Sequence, residues 1–323
     1  MPQLPQLGKE RVTRLQSAVL DWFAVNQRDM PWRRTRDPYL VLLSEVMLQQ
    51  TQVARVLPKY LEFVERFPTV RHLAGAPLAE VIRAWSPLGY NLRAVRLHRA
   101  AQLIVERHGG VVPREPAELR AIPGLGEYSA AAVACFAYEE PVGVVDTNVR
   151  RVLTRVFPDA ASGGPAAVLS VAQRLVPAER ARSWGLAIMD LGATVCTTRK
   201  PACLICPLAA ACPSATTAVS KTRLSEARPS YGKKQKGFFG SNRYYRGRVV
   251  ESLRRAASRS LALSELGPTV RPGFGACDLL WLRTLVHELA RDGLVSLREP
   301  PTADDPAGTR VSLAGSPSTP DEV

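Results

Sequence analysis

The 323-residue chain carries 43 Lys and Arg against 29 Asp and Glu, a formal net charge of +14, and 46% hydrophobic residues. That length and apolar content suit two or three globular domains with a real core, and the positive surplus points to a polyanionic partner, nucleic acid first. No stretch offers the ~18 apolar residues of a membrane helix, the start MPQLPQLGKERVTRLQ has no apolar signal core, and in the reducing cytoplasm then expected the six cysteines are thiols or ligands, not disulfides.

Residues 1–10 read as a lead segment. Val12, Leu15, Val19, Trp22 and Phe23 fall at helical spacing and predict a helix to Val25. In the loop from Arg28 to Arg34, Trp32 stands beside Arg33. An aromatic next to cations can stack on a base and hold phosphate; a surface loop anchored by one Trp fits these residues equally well. Tyr39–Ala54 predicts one buried helix, with Glu45, Gln49 and Gln52 as its polar stripe. Among Val41, Leu42 and Leu48, the Glu45 carboxyl loses water and its pKa rises, which suits a general acid. A carboxylate buried against an arginine is the alternative. Leu57–Phe67, Leu78–Trp85 and Ala94–His108 predict three more helices, interrupted by Ser86–Asn91. There Leu88 and Tyr90 can wedge into a base stack or simply cover the core. No strand pattern precedes residue 260, and no internal repeat is visible.

The stretch from Leu119 to Asn148 reads as short helix, tight turn, helix and landing loop. Gly124 and Gly126 form a turn whose N–H groups sit at a helix start, an anion site that needs no side chain. Asp146 is delivered to the head of a further helix, Asn148–Phe157, where it is either a functional carboxylate or an N-cap. A Gly/Ala-rich loop spans 160–166, and helices follow at Val168–Leu175 and Ala181–Ala193. Asp190 lies among the apolar residues of the latter, where an arginine partner would suffice to explain it.

Cys196, Cys203, Cys206 and Cys212 are spaced C-x6-C-x2-C-x5-C. One Cys-x-x-Cys pair with two longer arms suits a [4Fe–4S] cubane, with zinc as the alternative. Arg199 and Lys200 put positive charge on the same loop. Cys135 and Cys277 lie outside the pattern and read as ordinary buried thiols. Residues 220–242 read as a basic linker. Helices near 243–259, 263–266 and 279–292, with strands at Leu294–Leu297 and Arg310–Leu313 pairing as a hairpin, make a winged-helix-like α+β domain over 243–315. A tail, 316–323, follows. This region looks like a source of phosphate contacts that any duplex can satisfy, not a reader of bases.

Between about residues 12 and 215 the chain resembles MutY-type adenine DNA glycosylases of the helix-hairpin-helix superfamily, which includes endonuclease III. The resemblance rests on PWR at 31–33, SEVMLQQTQV at 44–53, LGY at 88–90, IPGLGEYSA at 122–130, VDTNV at 145–149, MDLGA at 189–193 and the cysteine loop. It implies a mainly α fold. A six-helix barrel with the helix-hairpin-helix covers 30–138, an all-α domain from 1–29 and 139–219 holds a [4Fe–4S] cluster, and the DNA-facing cleft lies between them. It further implies a monofunctional, monomeric and nucleoid-associated enzyme. Its substrate is double-stranded DNA in which adenine is mispaired with 8-oxoguanine or guanine. By resemblance Glu45 protonates adenine, Asp146 stabilises the sugar cation, and Tyr128 and Asn148 support them. Trp32, Arg33 and Asp190 line the flipped-adenine pocket. Gln50, Thr51, Leu88 and Tyr90 contact the opposing base, and Gly124, Gly126, Arg199 and Lys200 hold phosphates. Two departures stand out: Asn91 replaces an aromatic common in the family, and residues 225–323 do not look like the Nudix-like domain many members carry. The rivals are an endonuclease III-like glycosylase/lyase, disfavoured because Glu127-Tyr128-Ser129 offers no lysine for a Schiff base, and a non-catalytic iron–sulfur DNA-binding protein, disfavoured by the paired carboxylates.

Overall fold

The computed structural model describes residues 8–215, 237–300 and 306–316. Residues 220–236 of the expected linker and 317–323 of the expected tail lie outside the described residues. In chain order the helices are α1 (Lys9–Asn26), α2 (Pro38–Leu48), α3 (Val53–Arg66), α4 (Val70–Gly75), α5 (Leu78–Ala84), α6 (Leu92–His108), α7 (Pro116–Arg120), α8 (Glu127–Tyr138), α9 (Thr147–Val156), α10 (Pro158–Ser162), α11 (Gly164–Arg174), α12 (Ala181–Thr194) and α13 (Asn242–Arg255). Strand β1 (Ser260–Ala262), α14 (Leu263–Val270), α15 (Leu279–Arg291), β2 (Val295–Arg298) and β3 (Arg310–Leu313) follow. Contacts gather these elements into two compact units, one made of residues 1–45 and 112–229, the other of 46–111 and 230–323.

In the first unit α12 packs against α1, α8 and α9. The fit is close because α12 presents glycines where its neighbours approach. A Cβ at Gly192 would lie 2.8 Å from Asn148 Cβ and from Asn148 O. The 160–166 segment is helical, not a loop: Pro158 opens α10 and Pro165 lies in the first turn of α11, the position where proline costs a helix nothing, and alanine does the rest.

The expected single helix over 39–54 is two helices. The break has a side-chain cause inside the second unit. Arg93 Nη1 donates to the carbonyls of Val46, Met47 and Gln49 at 2.9, 2.8 and 2.7 Å, taking the acceptors that a continuing helix would need. Gln50 then adopts φ 55°. The polar stripe of Glu45, Gln49 and Gln52 is therefore not one helix face.

In the second unit α6 packs against α4 and α5. The C-terminal region adds three helices and a three-stranded antiparallel sheet in the order β1-β3-β2. The expected hairpin is present, with Val295 opposite Leu313 and Leu297 opposite Val311. Strand β1, absent from the sequence reading, pairs Leu261 with Val311 on the other edge of β3. At three half-buried residues it is too short to show a period of two. This region does not close a core of its own. Val250, Leu253, Leu266, Leu282, Val286 and Val311 form one apolar cluster with Ala79, Ile82 and Val95 of α5 and α6. The boundaries expected at 29/30, 138/139 and 242/243 and the two compact units thus divide the chain differently. Among the described residues no helix is long and apolar enough to cross a membrane.

Candidate active site

Glu45 lies near the end of α2, a helix apolar on nearly every face, and is 6% exposed. Burial pushes its pKa from 4.5 to about 7, the Tyr128 hydroxyl that donates to it pulls the other way, and the nearby Asp146 carboxylate adds to the rise. Arg33 faces the group as well and holds the rise down. Tyr128, one residue into α8, has its own pKa raised well above the ordinary value by burial and by these same carboxylates. One buried acid, one phenol and a second carboxylate thus share a small space.

The turn before α8 places Tyr128. Gly124 has φ 87°, a region that a residue with a Cβ rarely adopts, whereas Gly126 is the extended N-cap of α8 and needs no glycine for its torsions. Asp146 is the N-cap of α9. Its Oδ1 accepts from Val149 N at 2.7 Å and its Oδ2 from Asn148 Nδ2 at 2.8 Å. Capping and function are thus not alternatives here, since the cap is what aims the carboxylate. Asn148 is fixed in turn by Arg151 Nη2 at 2.8 Å, and the same guanidinium donates to Gly192 O at 2.6 Å and Cys196 O at 2.7 Å. Arg151 ties the Asp146–Asn148 corner to the start of the cysteine loop. The sequence offered no signal for it beyond one more arginine on a basic helix.

Asp190, expected as pocket lining, is buried in an ion-pair network. It is 0% exposed and accepts a fork from Arg33 at 2.6 and 2.8 Å, with Arg28 Nε at 2.6 Å and Arg28 N at 3.2 Å. Burial alone would raise its pKa; the arginine bonds outweigh that and hold the carboxyl below its ordinary range. Asp190 is a partner for arginines and orients Arg33, which in turn faces Glu45. Trp32 is also buried, so it cannot stack on a base from a surface loop. Arg182, which the sequence reading passed over, donates to Arg33 O at 2.7 Å, to Thr35 O at 2.8 Å and to Phe136 O, fastening the 31–35 turn to the end of α8.

The residues expected to meet the opposing base lie in the second unit. Gln50 is exposed at its positive-φ turn, and Thr51 Oγ1 accepts from Arg93 Nη2 at 2.9 Å. Tyr90 is 49% exposed with φ 46°, but Leu88 is 2% exposed. Leu88 packs into the core, and Tyr90 is the side chain of this pair that the turn leaves exposed. Arg93 lies under the turn, 5.6 Å from the Tyr90 ring centre and 5.2 Å from that of Trp85, with burial lowering its pKa to about 10.

Cys196, Cys203, Cys206 and Cys212 line one pocket with Val152, Leu191 and Val195. Among the described residues no three such side chains converge at metal-ligating distance. The donor set nevertheless fits a thiolate-bound cluster. Four soft sulfur donors lie on one loop, and Arg155 Nη1, which donates to Cys196 Sγ at 3.2 Å, favours the thiolate form that such a cluster needs. Arg199 and Lys200 are exposed on this loop. Cys135 is buried with its thiol pushed up to about 12, as expected; Cys277 is exposed, because the 3-10 turn at 276–278 leaves it outside the C-terminal core.

Residues 43–178 match the model of the HhH-GPD superfamily of base excision DNA repair proteins. An adenine DNA glycosylase of Mycolicibacterium smegmatis is 39% identical over 317 residues, covering 93% of this chain and 96% of the relative. One from Mycobacterium tuberculosis is 42% identical, covering 74% and 78%. The solved structure of a thermostable thymine-DNA glycosylase superposes with a TM-score of 0.61 at 31% identity, over 64% of this chain and 98% of that one. The Mycolicibacterium smegmatis match, over 93% of the chain, runs well past residue 215, where the recognisable motifs stop. A buried acid beside a capped carboxylate, set in this helical frame and matched along nearly the whole chain, leads to one assignment: the chain belongs to the adenine DNA glycosylases of the HhH-GPD base excision repair superfamily.

Proposed function

We propose that this adenine DNA glycosylase acts on adenine mispaired with 8-oxoguanine or guanine and releases it by acid-assisted hydrolysis. The observation that carries the mechanism is the buried Glu45 carboxyl with its pKa near 7. Extruding the base from the duplex costs a few kcal/mol by rough estimate, repaid by contacts in the site. Adenine is a poor leaving group as an anion. Glu45 in its acid form delivers a proton to a ring nitrogen, the glycosidic C–N bond breaks, and adenine leaves neutral. Asp146 stabilises the sugar cation, and water adds at the anomeric carbon and gives its proton to the Glu45 carboxylate that the first step left ionised, restoring the acid. Two carboxyl groups in opposite protonation states are what glycoside hydrolysis generally uses. Tyr128 and Asn148 hold the two groups in place. Arg33, oriented by Asp190, biases Glu45.

Gln50, Thr51 and Tyr90 are the candidates to meet the opposing base. Gly124, Gly126, Arg199 and Lys200 are the candidates for phosphate contact. Cys196, Cys203, Cys206 and Cys212 would hold a [4Fe–4S] cluster, whose contribution is to fix the loop that carries Arg199 and Lys200. The lysine-free start of α8 supports a monofunctional enzyme.

The test is single-turnover release from duplexes carrying adenine opposite 8-oxoguanine, guanine and thymine, with thymine opposite guanine as a further substrate. Fastest release of adenine opposite 8-oxoguanine supports the proposal. Equal rates for all adenine pairs, or preferred release of thymine, would defeat it.

A further inference from the structure

The segment from Ser86 to Asn91 joins α5 to α6 and carries Tyr90 at φ 46°. A non-glycine residue in that region is strained and persists only where its surroundings fix it. Several side chains do so. Trp85 Nε1 donates to Gly89 O at 3.0 Å, Arg93 Nη2 to the same oxygen at 3.2 Å, and Arg55 Nη2 to Pro87 O at 2.7 Å. One more comes from the C-terminal region. Arg254 on α13, its side chain 9% exposed, donates to Ile82 O from Nε at 3.1 Å and from Nη2 at 2.8 Å. Nη2 also donates to Asn91 Oδ1 at 2.9 Å, and Glu251 stands 3.4 Å from Nη1 as its counter-ion.

This geometry is more specific than adhesion. The surrounding cluster of Ile82, Val95, Val250 and Leu253 already glues α13 to α5 and α6. A buried arginine adds little net stability where an apolar residue would pack as well. What it adds is a fixed distance. Ile82 lies in the last turn of α5 and Asn91 follows Tyr90 directly, so one planar guanidinium ties the end of α5 to the far end of the segment.

We propose that Arg254 is a positioning residue for discrimination of the base opposite adenine. By setting the span between Ile82 and Asn91 it sets how Tyr90 projects, and so sets the preference for 8-oxoguanine over guanine. The C-terminal region then shapes specificity without touching a base, in contrast to the phosphate-contact role its composition suggests. The inference rests on the reading of Tyr90 given under Proposed function.

The test uses the full chain with Arg254→Met, Arg254→Lys, Asn91→Ala, the double variant Arg254→Met/Asn91→Ala, and Tyr90→Ser. Single-turnover rates and dissociation constants are measured for adenine opposite 8-oxoguanine and opposite guanine, over a salt series. Arg254→Met and Asn91→Ala should each lower the 8-oxoguanine preference about tenfold, the low end of the scale for one buried charged hydrogen bond. Release opposite guanine should stay within about twofold, the salt slope should not move, and the double variant should add little to either single change. Arg254→Lys should fall between wild type and Arg254→Met, since an ammonium keeps the charge and loses the fork. A purely structural arginine would slow both substrates equally, so an unchanged ratio overturns the proposal. Should Arg254→Met fail to fold, Asn91→Ala decides by the same criterion. If Tyr90→Ser collapses the ratio while Arg254→Met and Asn91→Ala keep it, this proposal falls alone. If Tyr90→Ser leaves the ratio intact, the reading of Tyr90 falls and takes this proposal with it.

Discussion

Replacing Glu45 with glutamine should kill the reaction and stabilise the protein. The Glu45 carboxyl has its pKa at about 7 in the folded chain against 4.5 ordinarily. The folded state therefore holds this proton more tightly than the unfolded state does. Its contribution to stability is complete below pH 4.5, is lost as pH rises through the window to about 7, and is flat above it. The loss across the window is about 3 kcal/mol for a group this buried. Glutamine has the same shape, can still accept from Tyr128, and has no proton to lose. The stability difference between Glu45→Gln and wild type should thus grow by about 3 kcal/mol between about pH 4.5 and pH 7 and then level off. All other titrating groups cancel in that difference. Urea unfolding of both proteins at a series of pH values measures it directly. In parallel, wild-type adenine release should fall about tenfold per pH unit above pH 7, and Glu45→Gln should lose about 10²–10⁴-fold in rate while still binding the mispair. A stability difference that does not vary with pH would refute the desolvation argument. Release by Glu45→Gln within threefold of wild type would remove Glu45 from the acid role.

Asp190→Asn leaves Arg28 and Arg33 sharing a neutral partner in a buried site, and should cost about 3 kcal/mol in denaturant unfolding; a loss under about 1 kcal/mol would mean that water solvates the pair. Gly192→Ala drives a methyl into the Asn148 backbone and should slow adenine release at least tenfold, with mispair affinity much less affected; parallel losses in both would point to unfolding. Tyr128→Lys places an amine at the head of α8 and is the substitution most apt to add strand cleavage. Efficient borohydride trapping by the unmodified chain would show that another lysine already serves. Purified protein should carry about four irons per chain and a broad visible absorbance, whereas stoichiometric zinc without iron would overturn the cluster assignment.

What could be read from residues alone was local. Glu45 sits among apolar residues on its own helix, and Asp146 stands at the head of the next one, so each environment is written within a few positions. The same holds for the Gly124 turn and the spacing of the cysteines. What escaped was set by distant arginines. Nothing within 39–54 says that Arg93 will cap α2 at Gln49 and split the helix. That Asp190 would have an arginine partner was legible from its apolar setting, but that the partners would be Arg28 and Arg33, 162 and 157 residues away, was not. Leu88 and Tyr90 are neighbours with similar apolar character, and only packing sends one into the core and leaves the other out. The shared cluster of α5, α6 and the C-terminal helices was illegible for the same reason. Its two halves are each amphipathic, and the sequence does not state which face meets which.

That shared cluster bears on how the chain is made. Synthesis delivers residues 78–95 long before residues 249–313, yet Ala79, Ile82 and Val95 have their apolar partners in the later segment. The earlier unit has the same interval in it, since residues 1–45 wait for 112–229. A nascent chain halted before Leu313 must therefore keep an apolar strip of α5 and α6 uncovered while the ribosome finishes, and non-local closure of this kind is slow and prone to off-pathway association. Stalled chains of increasing length should show α5 and α6 open to protease until β3 has emerged from the exit tunnel. Protection already complete in chains ending near residue 230 would show that α5 and α6 close without their late partner.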